Sequence, residues 1–158
     1  MLFLHNRRFG PGRRDGDLDH LAICASGVVV IDAKNHARAR VEVRRRRGSG
    51  GRTVEQLVVN GRDRSELVTS SARQQTAVRA ALAADDDTTG AGAARVVGVL
   101  CFLDAAALPG WRWRPEQVQG VHLSSPRATV RLLLRPGPLS REDRRVVCEY
   151  LDARLPPA

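Results

Sequence analysis

The stretch Asp17-Leu18-Asp19-His20-Leu21-Ala22-Ile23-Cys24-Ala25-Ser26-Gly27-Val28-Val29-Val30-Ile31-Asp32-Ala33-Lys34 decides how this chain reads. Its second half opens on Val28, Val29, Val30 and Ile31, β-branched residues that favour an extended, half-buried backbone. Its first half alternates in part and runs into Ala25-Ser26-Gly27, so the two halves are predicted to form a hairpin. Side chains in a strand alternate with a period of two. Asp32 and Lys34 therefore share a face with Val28 and Val30, while Val29, Ile31 and Ala33 point the other way. An aspartate inside an apolar strand is costly unless it is paired or bound to a cation. If the turn sets an odd sum of paired residue numbers, Asp19 comes opposite Asp32 or Lys34 on that same face; an even sum separates them.

In the odd register two carboxylates and one ammonium converge. Carboxylates at that separation repel, and a divalent cation resolves the repulsion: hard Mg²⁺, with Mn²⁺ as an alternative, accepts one or two carboxylates, water and phosphate oxygens. Asp19 and Asp32 are the candidate ligands. Such an ion activates water and stabilises charge on a phosphoryl centre, and Lys34 is placed to orient or deprotonate that water. The competing reading is a surface hairpin with an ordinary Asp32–Lys34 or Asp19–Lys34 ion pair, worth little; D-x-K alone does not choose between them.

Working outward, the chain has 158 residues, the length of one domain with a real core, and 42% hydrophobic with 27% charged residues excludes disorder throughout. No apolar run reaches the roughly 20 residues of a membrane-spanning helix, and Met1-Leu2-Phe3-Leu4 is too short for a signal-peptide core, so a cytoplasmic, non-membrane location is expected. Cys24, Cys101 and Cys148 are odd in number, widely spaced and set in apolar stretches, which suits reduced, structural thiols. Lys plus Arg number 26 against 17 Asp plus Glu, a net charge of +9, which favours polyanionic partners such as nucleic acid. GC-rich coding gives the same arginine excess. Lys34, however, is the single lysine of the chain, and a compact ammonium whose pKa can shift is something a guanidinium does not supply.

Further elements follow from pattern. A short strand is expected at Leu2–His5, a basic loop at 6–16, the core hairpin at 17–35, and strands at Arg38–Arg46 and Val54–Val59, the latter closed by Asn60-Gly61. Ser65 is read as the N-cap of a helix to about Ala83, 85–94 as a loop, and Val96–Leu103 as a buried, parallel strand. A last strand at Gly120–Leu123 precedes two C-terminal helices within about 124–155, capped by Ser124 or Ser125 and by Ser140. The sum is one α/β domain over 1–158 with a mixed sheet.

The segments Asp17-Leu18-Asp19-His20-Leu21 and Ser26-Gly27-Val28-Val29-Val30-Ile31-Asp32-Ala33-Lys34-Asn35 resemble the nuclease-related domain (NERD) family, a branch of the PD-(D/E)xK nucleases. Leu57-Val58-Val59-Asn60-Gly61-Arg62-Asp63, the helix with Ala72-Arg73-Gln74 and the strand Val97–Leu103 are similar to the same family. The resemblance implies a restriction-endonuclease-like mixed sheet flanked by helices, with Asp19 and Asp32 holding the metal. Lys34 would be the catalytic lysine, Gln74 a helix glutamine near the site, and His20 a family histidine without an assigned role. It further implies an N-terminal helix bearing a glutamate, whereas here no acid precedes Asp15 and Met1 falls at the following strand; the expectation is either that the start of the chain is missing or that this version lacks the helix and one acid, a metal then binding more weakly through Asp19, Asp32 and the Ala33 carbonyl.

Arg38, Arg40 and Arg44 alternate with Val41 and Val43, and an arginine stripe there would carry a nucleic-acid backbone; the alternative is a solvated strand face. Trp111-Arg112-Trp113-Arg114 suits either base stacking or a covered core edge. The sequence thus predicts a Mg²⁺-dependent nuclease acting on DNA. Its competitors are a degenerate nuclease fold that binds nucleic acid or protein without cutting, and a plain interaction domain.

Overall fold

The computed structural model describes residues 1–10, 16–36, 38–84, 94–106 and 116–158. Among these, the strands are β1 (Leu2–Arg8), β2 (Asp17–Cys24), β3 (Gly27–Lys34), β4 (Ala39–Arg47), β5 (Thr53–Val59), β6 (Arg62–Asp63), β7 (Val96–Phe102), β8 (Ala105–Ala106), β9 (Glu116–Val118) and β10 (Val121–Ser124). The helices are α1 (Ser65–Leu82), α2 (Pro126–Leu133) and α3 (Arg141–Arg154). A six-stranded mixed sheet runs β1-β2-β3-β7-β10-β9, and a second sheet runs β6-β5-β4-β8. As the apolar run at 96–103 predicts, β7 lies parallel to β3, Val28 beside Val96 and Asp32 beside Leu100.

The alternation of β3 sorts its side chains into two cores. Val28 and Val30, with Leu21 and Ile23 of β2, pack against Val78 and Leu82 of α1 and Val147 and Leu151 of α3. Val29 and Ile31 face the opposite way, onto Leu132 and Leu133 of α2. The second sheet closes one end, where Val41, Leu57 and Val59 meet Val68, Leu100 and Phe102. Helix α1 lies on the sheet along Val68, Ser71, Gln75, Val78 and Leu82, a three-and-four spacing that keeps one stripe inward. Gly98 of β7 permits this approach, since a Cβ there would fall 2.3 Å from Gln75 Nε2 and 2.9 Å from Ser71 Oγ.

Ser125 caps α2 through the Ala128 N–H, and Ser140 and Asp143 form a reciprocal capping box at α3. Two expectations are corrected. Ser65 is the first helical residue rather than the N-cap of α1: Asp63 accepts from its N–H at 2.9 Å and its hydroxyl at 2.6 Å, while Ser65 Oγ accepts from the Leu57 N–H, so the hydroxyl ties the helix start to β5. Residues 6–8 are not loop but the end of β1, because Arg7 pairs with Asp152 on α3 and because the C-terminal tail runs alongside, Arg8 N–H to Pro156 O and Ala158 N–H to Asn6 O, both at 2.8 Å. The left-handed Asn6 (φ 48°) bends the strand between its two halves. The rest of the basic loop at 11–15, most of the 85–94 loop and Trp111-Arg112-Trp113-Arg114 lie outside the described residues. All three cysteines are free, and no described helix is long and apolar enough to cross a membrane.

Candidate active site

The register of the β2–β3 hairpin decides whether the site exists. Cys24 pairs with Gly27, Ala22 with Val29 and His20 with Ile31, each pair summing to 51, an odd value. One step beyond the last of these pairs, Asp19 comes level with Asp32. The Ala33 N–H donates to Asp19 Oδ2 at 3.2 Å, and Lys34 Nζ lies 2.6 Å from Asp32 Oδ1. The three side chains expected to converge are therefore brought together, at the carboxyl end of β3 beside the end of β7, where Leu103 N–H donates to Lys34 O. The carboxyl ends of strands are where open α/β sheets place their ligand sites.

Burial makes this more than a surface ion pair. Asp32 is 4% exposed. Its removal from water raises its carboxyl above the ordinary range; the Lys34 ammonium opposes that rise, and the neighbouring Asp19 carboxylate, in hydrogen-bond contact with Asp32, adds to it. The Lys34 side chain keeps 25% of its surface against 5% for Asp32, so the lysine is the more exposed partner of the pair.

Gln74 is buried on α1 and donates from Nε2 to Asp17 O at 3.0 Å, two residues before Asp19. Its Oε1 is buried without a hydrogen-bond partner. His20 belongs to the other face: it pairs with Ile31, which points to α2, and its Nδ1 lies 2.8 Å from His5 Nδ1 with the rings edge to face. The arginine stripe is only half assembled. Arg40 and Arg44 share a face of β4, but Glu42 stands between them, 2.6 Å from Arg40 and 3.6 Å from Arg44, and Arg38 precedes the strand in a left-handed turn (φ 53°).

Among the described residues no three His, Cys, Asp or Glu side chains gather to hold an ion. The donors present nevertheless fit a hard cation, which needs only one or two carboxylates beside water: Asp19, Asp32 and the partnerless amide oxygen of Gln74 are all oxygens. Sequence reasoning missed three parts of the surroundings: the Ala33 amide that fixes Asp19, the His5 partner of His20, and the buried Ser71 and Gln75 beneath Gly98. Strand pairing would have suggested only the second, since His5 lies directly across from His20.

The mixed α/β sheet flanked by helices is consistent with a nuclease-like fold. The profile of the nuclease-related domain family matches residues 1–103, and the chain belongs to that family. No curated protein and no solved structure gives a significant match.

Proposed function

We propose that the domain hydrolyses DNA phosphodiester bonds with the help of Mg²⁺. The observation carrying this reading is the buried Asp32, held between the Lys34 ammonium at 2.6 Å and Asp19 in an odd-register hairpin. Asp19 and Asp32 would hold the ion, Mn²⁺ being the alternative, and when bound it supplies a more acidic water and charge stabilisation at phosphorus. The chain's own residues do the rest. The Ala33 amide holds Asp19 by its Oδ2, two carboxylates face the single Lys34 ammonium, and Lys34, the more exposed of the Asp32–Lys34 pair, would orient the attacking water and neutralise the phosphate. Gln74 holds the start of β2 through its Nε2 bond to Asp17 O, and its buried Oε1 is without a partner.

The test is Asp32→Ala, with the fold checked by circular dichroism: Mg²⁺-stimulated cleavage of plasmid and oligonucleotide DNA should vanish while the spectrum is unchanged. Retained cleavage refutes the assignment. The second reading, binding without cleavage, is favoured because among the described residues no third His, Cys, Asp or Glu joins Asp19 and Asp32 to form a metal-holding group, and it predicts salt-sensitive DNA binding with no cleavage in either Mg²⁺ or Mn²⁺.

A further inference from the structure

Strands β4 and β5 continue beyond the body of the protein as a two-stranded ribbon. Their inner halves are buried at Ala39, Val41, Leu57 and Val59, whereas Arg44 to Arg47 and Arg52 to Val54 are exposed on both faces. The transition is marked by one braced rung. Arg45 pairs across the ladder with Glu55 at 3.0 Å and reaches Glu116 of β9 at 3.2 Å, and the Gln119 N–H donates to Glu55 Oε2 at 3.1 Å. The base of the ribbon is thus clamped to the main sheet.

Past that rung the register continues, Arg46 against Val54 and Arg47 against Thr53, and the loop closes with Gly48 N–H on Arg52 O at 2.8 Å. From Arg46 to Val54 the chain has three arginines and no acid. Arg46 is within electrostatic reach of Asp63 on the adjoining strand, and Glu55 of the neighbouring rung is taken up by Arg45. This differs from Arg40 and Arg44, which flank Glu42. Among the described residues Arg46, Arg47 and Arg52 form no ion pair within 4 Å, and they cluster at the ribbon's tip.

We propose that this tip is a DNA-binding element: the β4–β5 ribbon seats in the major groove of duplex DNA, with Arg46, Arg47 and Arg52 on phosphates flanking the groove. Two strands about 4.8 Å apart with side chains on both faces suit a groove about 12 Å wide. The inference rests on the nuclease reading, because the root of the ribbon adjoins the candidate site: Leu103 N–H binds Lys34 O, and Ala105 pairs with Ala39. From Arg40 to Arg47 the strand spans about 23 Å at roughly 3.3 Å per residue, so the tip grips phosphates some six or seven nucleotides from the scissile bond.

The experiment measures binding of a fluorescent 24-base-pair (about two-turn) duplex in EDTA, across a salt series, for the intact chain, R46A/R47A/R52A and R40A/R44A. The expected result is a binding slope against log salt shallower by about two to three for the triple variant, with affinity at low salt down at least about tenfold, and little change for R40A/R44A. Duplex RNA, whose major groove is too narrow, should compete poorly. If the triple variant matches the intact chain, or duplex RNA competes equally, the ribbon assignment falls and the nuclease reading stands. If the intact chain binds no DNA at low salt, both fall. Should the triple variant melt early, R47E alone carries the same comparison.

Discussion

Replacing Asp32 by Asn should make the metal-free protein more stable at neutral pH. The carboxylate is 4% exposed, and burying a charge costs several kcal/mol after relaxation. Lys34 at 2.6 Å offsets most of this and Asp19 adds repulsion, leaving the ionised form disfavoured on balance, as the upward displacement of the Asp32 carboxyl requires. Asparagine keeps the shape and removes the charge, and Lys34 still reaches water. The gain should be on the order of 1 kcal/mol, or about 2–4 °C in Tm for a chain of this size. Its sign depends on pH. The folded carboxyl titrates above the unfolded one, so the native state binds more protons in that interval and wild-type stability falls as pH rises through it. The advantage of Asp32→Asn is then full above the folded value and vanishes below the ordinary value of 3.8. Thermal melts in EDTA from pH 8 to pH 4 measure it. A variant melting several degrees below wild type at pH 7.5 would show that Asp32–Lys34 is a stabilising bridge and would sink the site argument.

Mg²⁺ at a hundred times its Kd should raise the wild-type Tm by roughly 5–11 °C, from about 2.7 kcal/mol of linkage, and leave Asp32→Asn unmoved; differential scanning fluorimetry reads both. Lys34→Met should keep that Mg²⁺ response yet lose cleavage in a single-turnover gel assay, and a lost Mg²⁺ response would instead make the lysine part of the ion's framework. Gln74→Leu should cost about 1–3 kcal/mol, because the Nε2 bond to Asp17 O is lost, while weakening Mg²⁺ binding by calorimetry; an unchanged affinity removes Gln74 from the site. Gly137→Ala should cost at least about 1–3 kcal/mol in urea melts, because its Cβ would sit 2.3 Å from Ala25 O and 2.4 Å from Ser26 Cα, with only backbone to yield.

What was legible in the sequence was whatever local chemistry dictates. Four β-branched residues after a Ser-Gly break gave the strand, its period of two gave the two cores around Val28/Val30 and Val29/Ile31, and the run at 96–102 gave the parallel neighbour. Asn60 and Gly61 both adopt left-handed φ, as their turn requires. The register of the hairpin followed only on an assumption about its turn. The remainder depended on partners outside the local pattern: Arg7 joins a strand because Asp152 waits on α3, the N-cap of α1 falls on Arg64 while the Ser65 hydroxyl is engaged by Asp63 and Leu57, and β6, β8 and β9 are too short to carry a pattern of their own. The weakness of the arginine stripe, by contrast, was written in Arg40-Val41-Glu42-Val43-Arg44, where the same alternation that aligns the arginines aligns the glutamate with them.

The parallel seam between β3 and β7 joins residues more than sixty positions apart, so it has a consequence for the order of events on the ribosome. The hairpin bearing Asp19, Asp32 and Lys34 is synthesised before the strand that completes the burial of Asp32. Only when Leu100 and its neighbours have been synthesised and docked does water leave Asp32. A nascent domain therefore carries the right side chains long before it acquires the tension among them, and whatever chemistry that tension drives is withheld until the sheet is whole.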